Sequence, residues 1–168
     1  MGLPDVALKK YFSNHTRLAD IFNYYCFNGR EEITPEKLEI QNSTETVVIS
    51  GKNHKTYPVE KVRDILATAK TGNTVLLLLG IENQNNIHYG MPVRQMLYDA
   101  LTYANQIEER RKNHRKRQKN RREKASSAEF LSGMKKGEKL TPVITLVIYY
   151  GKEPWDGPRD LSHMLDME

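Results

Sequence analysis

The segment from Val62 to Gln84, VRDILATAKTGNTVLLLLGIENQ, constrains the fold more than any other part of the chain. Between Val75 and Ile81 both faces are apolar, which requires a strand in a sheet covered on both sides. Thr71-Gly72-Asn73 supplies a turn signal, so the segment is expected to fold back as a hairpin whose first strand begins near Val62, although Val59, Val62, Ile65, Leu66 and Ala69 also fit a helical face. The longest apolar run, Val75 to Leu79, is far too short for a bilayer, which takes about 20 apolar residues.

The hairpin brings polar groups to one end. Alternation puts Glu82 and Gln84 on the face of Leu76, Leu78 and Gly80. An odd-length loop centred on Asn73 sets Asp64 opposite Glu82, with Cβ atoms about 4.5–5.5 Å apart. A two-residue loop at Gly72-Asn73 would send the carboxylates to opposite faces. The odd register is expected. Adjacent carboxylates repel unless a cation lies between them, and an all-oxygen site suits Mg²⁺ or Mn²⁺. The same spacing also fits a solvated Asp64 and a polar turn from Glu82 to Asn86.

At 168 residues the chain is expected to form one domain with a real core. Its net charge of +5 is local: residues 108–124 hold ten Lys or Arg against three Glu, so the remainder is slightly acidic. Arg110, Arg111, Lys112, Arg115, Lys116, Arg117, Lys119, Arg121 and Arg122 are the candidate nucleic-acid contacts, able to neutralise phosphates through counterion release. No aromatic residue interleaves them, which argues against base stacking there. The single cysteine, Cys26, has no internal disulfide partner, and no signal-like segment opens the chain, so a soluble, cytoplasmic setting is expected, with no membrane partner.

Taken in order, Asp5 to Phe12 and Asn14 to Phe27 read as a broken helix or helix pair. Leu8, Phe12, Leu18, Ile21, Phe22 and Tyr25 recur at helical spacing, Asn14 offers an N-cap, and Asn28-Gly29 ends the second helix. Core packing is the expected role of Tyr11, Phe12, Phe22 and Tyr25. Residues 31–43 read as a loop with a short helical turn, Thr44 to Ser50 as a strand. Pro92 opens a helix whose buried stripe is expected to be Val93, Met96, Leu97, Ala100, Leu101, Ala104 and Ile107, and the basic segment 108–124 is expected either to extend it as a charged helix or to form a loop. Arg94 and Tyr98, four apart, share a second face. Ser126-Ser127 and Gly133 to Gly137 read as a flexible return. Thr141 to Tyr150 reads as a buried strand, Pro154 to Pro158 as a tight turn, and Asp160 to Leu165 as the start of another helix.

Absent patterns narrow the chemistry. The chain has no Walker A sequence, no dinucleotide glycine fingerprint, no Gly-x-Ser-x-Gly and no paired zinc-ligand spacing. Its five histidines are scattered.

Asp64, the apolar strand into Ile81-Glu82-Asn83-Gln84, Met91-Pro92-Val93-Arg94 and Tyr98-Asp99-Ala100-Leu101-x-Tyr103 follow one another in a familiar order. With Asp5-x-x-Leu8-Lys9-Lys10-Tyr11-Phe12 before them, and Pro142 to Tyr149, Gly151 and Trp155 after them, the chain resembles the recombination-promoting nuclease (Rpn) group of YhgA-like transposases. That group belongs to the PD-(D/E)XK nuclease superfamily.

The resemblance implies an α/β domain with a mixed central β-sheet flanked by helices, and Mg²⁺-dependent hydrolysis of DNA phosphodiesters. Asp64, Glu82 and the backbone carbonyl of Asn83 would then hold the metal, and Gln84 would take the place of the superfamily's lysine. An amide can orient water but is no useful base. Arg94 would grip a phosphate and Tyr98 position water or a phosphate oxygen, against the plainer reading of an exposed arginine beside a half-buried tyrosine. An acidic residue of the first helix can join such a site, a role open to Asp5 or Asp20. The resemblance also implies a further C-terminal region beyond Glu168. Two other classes stay open: a DNA-binding or regulatory module with little catalysis, and a subunit that assembles into a homo-oligomer through its apolar helix faces.

Overall fold

The structure, a computed structural model, describes residues 3–41, 44–50, 56–62, 64–71, 74–121 and 126–166. Helix α1 (Leu3–Phe12) and helix α2 (His15–Phe27) form the expected pair. Asn14 caps α2 by accepting the Arg17 N–H, which satisfies one of the donors a helix start leaves open. Asn28, in the left-handed region at φ 53°, closes it, followed by Gly29 at φ 77°.

A turn of 3₁₀ helix (Pro35–Lys37) leads into strand β1 (Leu38–Gln41). This strand falls where the sequence reads as a loop. It is four residues long, too short for alternation to show. Strands β2 (Thr44–Ser50) and β3 (Thr56–Val62) form a two-stranded antiparallel sheet of their own. Val62 therefore belongs to that ribbon. The central hairpin starts later, with β4 (Ile65–Thr71) and β5 (Thr74–Gln84).

The main sheet has the order β1-β4-β5-β6, where β6 is Val143–Tyr149. Its first two pairings are antiparallel and β5-β6 is parallel, so the fold is α/β with a four-stranded mixed sheet flanked by helices. The parallel partner needs a long crossover, supplied by α3 (Met91–Arg121) and the short α4 (Ser127–Ser132). Among the described residues no helix is long and apolar enough to cross a membrane. Helix α4 fills the gap between the two stretches expected as a flexible return, and its start carries a full capping box between Ser126 and Glu129. The expected final helix shrinks to a 3₁₀ turn, Ser162–Met164.

Sheet faces differ in character. Leu18 and Phe22 of α2 pack with Ile65, Leu79 and Ile81, all essentially sealed from solvent, each contributing about 1.5–3 kcal/mol. Asn23 anchors the chain after α2 with a buried pair of bonds, donating to the Ile33 carbonyl at 2.7 Å and accepting the Ile33 N–H at 2.9 Å. Tyr11 and Tyr25, expected in the core, are exposed: Tyr11 lies under the Arg17 guanidinium and Tyr25 against Tyr24. Helix α3 covers the other face. Asp99 accepts a hydrogen bond from Thr145 of β6 at 2.9 Å, and Gln106 grips the backbone of Thr141 through both amide atoms. Strand β6 is half-buried throughout, as an edge strand is, and is not the fully buried strand its composition suggests.

The buried stripe of α3 also differs from expectation. Met91, Tyr98 and Leu101 are buried, whereas Val93, Met96, Leu97 and Ala100 are exposed. Hydropathy sets the helix one face out of phase, because the side that meets the sheet carries Arg94, Tyr98 and Asp99 to serve polar partners there.

Candidate active site

Register places the two carboxylates. Near the turn Thr71 pairs with Thr74, the two-residue connection that would separate Asp64 from Glu82. A one-residue shift then intervenes between Ala69 and Lys70, where Ala69 faces Leu77 and Lys70 faces Val75. Leu76 is the extra residue, a β-bulge, and it restores the odd register from Ala69 to Ile65. Ile65 faces Ile81, so Asp64, one step earlier, comes level with Glu82. The expected alignment holds through a bulge and not through the loop.

Asp64 sits in a bend and its Oδ2 accepts the Asn83 backbone N–H at 2.7 Å. Ladder geometry explains why that amide is available. The Leu78 N–H bonds the Pro142 carbonyl and the Gln84 carbonyl accepts from Tyr150, so even-numbered groups of β5 serve β6. Odd-numbered groups turn toward β4. At Asn83, β4 has already ended, and the Asp64 carboxylate takes the place of a strand carbonyl. The Asn83 carbonyl points the same way as its N–H.

Glu82 is 1% exposed, one of the most buried side chains of the protein. Burying a carboxylate costs several kcal/mol unless charge and hydrogen bonds compensate. Arg94 supplies charge from α3, its Nη2 3.5 Å from Glu82 Oε2. The same nitrogen donates to the Tyr98 hydroxyl at 3.2 Å, and the guanidinium lies 5.6 Å from the Tyr98 ring centroid. Burial favours the neutral form of Arg94, but Tyr98 and the carboxylates of Glu82 and Asp64 outweigh it and raise its pKa above the ordinary arginine value. Arg94 is thus fixed as a cation between α3 and the hairpin. Tyr98, 3% exposed, is a core residue whose hydroxyl orients that cation.

Gln84 closes β5 on the face of Glu82, paired with Tyr149. Its side chain makes no hydrogen bond among the described residues. The Asn83 side chain turns to the opposite face, buried, with neither amide atom hydrogen-bonded among the described residues. For a divalent cation the hairpin end offers the Glu82 carboxylate, the second oxygen of Asp64 and the Asn83 carbonyl, all hard oxygen donors of the kind Mg²⁺ takes. The donor set fits.

The remaining candidate residues divide. Asp20 is exposed on α2, which covers the opposite face of the sheet, so it stands apart from Glu82. The Asp5 side chain lies outside the described residues. Lys112, Arg115, Lys116 and Arg117 are exposed along α3. Arg110 is engaged with Glu138 at 3.1 Å and Arg111 with Glu108 at 2.9 Å. Lys119 and Arg121 lie on α3 with side chains outside the description, and Arg122 lies outside the described residues. Sequence reasoning missed Glu138 as a counter-ion, since it stands far along the chain in a loop. It also missed the second task of Asp64, because side-chain caps on strand ends leave no spacing signature.

Comparisons with protein-family models, with curated proteins and with solved structures returned no match to this chain. The class is therefore defined by the fold and the site alone: an α/β protein with a mixed sheet and a carboxylate-arginine cluster at the end of its central hairpin.

Proposed function

We propose that this protein is a metal-dependent DNA endonuclease that hydrolyses phosphodiester bonds, with Asp64, Glu82 and the Asn83 carbonyl as the Mg²⁺ ligands. The observation that carries the reading is the burial of Glu82 beside Arg94 and level with Asp64, at the open end of β5. A fold does not bury a carboxylate there for stability, since an apolar residue would serve at least as well. Magnesium, when bound, supplies a more acidic water and neutralises phosphate charge.

The residues of the chain have separate tasks. Asp64 and Glu82 present oxygen ligands on a rigid hairpin. Arg94 presents N–H donors toward a phosphate oxygen and is oriented by Tyr98. Gln84, uncommitted on the face of Glu82, orients the attacking water without taking its proton. The water oxygen bonds to phosphorus and loses its proton to solvent, the P–O bond opposite it breaks, and the leaving oxygen takes a proton from solvent. Lys112, Arg115, Lys116 and Arg117 give affinity for the backbone without base preference.

The test is nicking of supercoiled plasmid in Mg²⁺ by wild type and by Asp64→Asn and Glu82→Gln. Each substitution should lower nicking by about 100-fold or more, since each removes charge that stabilises the transition state. Wild-type nicking by either folded variant would refute the site. A second reading, a DNA-binding module with little catalysis, is favoured by the Arg94–Glu82 ion pair itself, which neutralises the carboxylate without a metal. DNA binding by wild type with no Mg²⁺-dependent nicking selects it.

A further inference from the structure

A cavity of about 390 Å³ opens over β6, bounded by the first turns of α3 (Met91, Pro92, Gln95), by β6 itself and by the loop from Trp155 to Arg159. Register ties it to the site. Val147, on its wall, pairs with Glu82, and Tyr149 pairs with Gln84. Neighbouring strands lie about 4.8 Å apart, so the cavity begins one strand spacing from Glu82.

Its aromatic wall is built and held. The Tyr149 hydroxyl donates to the Glu153 carbonyl at 2.6 Å, and the Trp155 indole N–H donates to the Gly157 carbonyl at 2.7 Å. The rings meet edge to face with centroids 5.1 Å apart. Gly151 lies directly under the Tyr149 ring, where a Cβ would collide with it, and a Cβ at Gly157 would come within 3.2 Å of the indole. Polar tips tied to the backbone leave ring surface for contact.

Thr145 on this wall is bonded to Asp99, but two other polar groups are uncommitted. The side chains of Gln95 and Arg159 make no hydrogen bond or ion pair among the described residues. Among those residues Arg159 is the one charged group on the wall, and no carboxylate lines it. An amide that both donates and accepts suits the edge of a base, a guanidinium suits a phosphate, and aromatic and proline surfaces suit the faces of a base. The volume lies within the range of about 300–1,000 Å³ typical of small-molecule sites.

We propose that this cavity is a nucleotide subsite that receives an unpaired base of the strand being cut, making single-stranded or splayed DNA the preferred substrate. A base stacked inside a duplex cannot enter such a cavity, so selection for unpaired DNA follows from shape. The proposal rests on the nuclease reading for its biological sense, but binding can be measured without cleavage.

Trp155 is the sole tryptophan, so its fluorescence reports on this wall alone. The full chain, in EDTA to prevent cleavage, is titrated with dAMP, with a ten-nucleotide single strand and with the matching duplex. Saturable quenching by dAMP, tighter binding of the single strand than of the duplex, and about tenfold weakening by Gln95→Ala and by Arg159→Ala are expected. Neither side chain bonds to another described residue, so the loss of either leaves folding intact. Absence of saturable quenching, equal affinity for the two DNA forms, or quenching unchanged in both variants overturns the subsite. Wild type that nicks plasmid but is not quenched sinks the subsite and leaves the nuclease reading. Wild type that is quenched with the expected variant losses, yet never nicks, keeps the nucleotide site and sinks the nuclease reading.

Discussion

Asp64 Oδ2 accepts the backbone N–H of Asn83 at 2.7 Å, so a carboxylate read as a metal ligand also caps the end of a strand. Removing it leaves a buried amide with no acceptor, which costs about 1–3 kcal/mol. Asp64→Ala should therefore lower stability by about that amount, and Asp64→Asn by clearly less, because its carbonyl oxygen can still accept. Urea denaturation of the three proteins measures this. Equal losses for Ala and Asn would show that charge, and not the cap, is what the fold uses. The asparagine variant is consequently the right probe of chemistry.

Metal should act on stability as well as on rate. Binding to the native state alone stabilises by mass action, about 2.7 kcal/mol at a hundredfold excess over Kd. Saturating Mg²⁺ or Mn²⁺ should raise the melting temperature of wild type, and EDTA should reverse it. Asp64→Asn and Glu82→Gln should show little shift. Equal shifts in all three would place the metal elsewhere.

How far the sequence could be read depended on the range of the interactions involved. The helix pair was legible because Asn14 and Asn28 act within a turn of the helix they bound. The alignment of Asp64 with Glu82 was legible as an outcome, yet its cause was not: nothing in a run of leucines distinguishes the bulged Leu76 from its neighbours. Val62 was assigned to the wrong strand because β3 and β4 are nearly contiguous in a β-rich stretch, and pairing with Thr44 in β2 is a long-range fact. Helix α3 was legible in extent and wrong in phase. Its polar side faces the sheet because Glu82 and Thr145 meet Arg94 and Asp99 there, partners that a hydropathy pattern does not reveal. The exposure of Val93, Met96 and Leu97 follows from that exchange.

The basic helix should separate into two functional groups. Lys112, Arg115, Lys116 and Arg117 are exposed, and their replacement by glutamine should weaken binding to every DNA sequence alike. The slope of log K against log salt should flatten by about 0.9 for each duplex phosphate that is no longer neutralised. Arg110 is different, since with His114, 3.3 Å from Glu138 Oε1, it holds the loop carrying Glu138. Burial raises the Glu138 pKa, but the Lys135 N–H, His114 and Arg110 together lower it below its ordinary value. A carboxylate whose folded pKa is depressed stabilises above its unfolded pKa, and that contribution is lost as pH falls through the folded one. Glu138→Gln should thus be less stable than wild type at neutral pH and converge with it in acid, below the ordinary carboxylate range. A constant difference at all pH values would remove Glu138 from this role.

The cluster around Glu82 should behave as one unit. If Asp64 and Glu82 hold the same cation, the Asp64→Asn, Glu82→Gln double variant should nick plasmid no more slowly than the worse single variant, because the second loss removes nothing further. Gln84→Ala should bind metal as wild type does and lose less activity, since the role proposed for that amide is to orient water and not to hold the cation. Under the proposed function Gln84→Lys should be tolerated, its ammonium lying on the face of Glu82. Arg94 gives the sharpest contrast. Its removal leaves a carboxylate that is 1% exposed without its nearby cation, so Arg94→Met should lose stability in EDTA and recover part of it in Mg²⁺. Under the proposed function nicking should not recover with it, because the guanidinium donors proposed for the phosphate are gone. Thermal melts and plasmid nicking on the same preparations read both quantities. Recovery of activity along with stability would demote Arg94 from a phosphate-binding group to a structural counter-ion of Glu82.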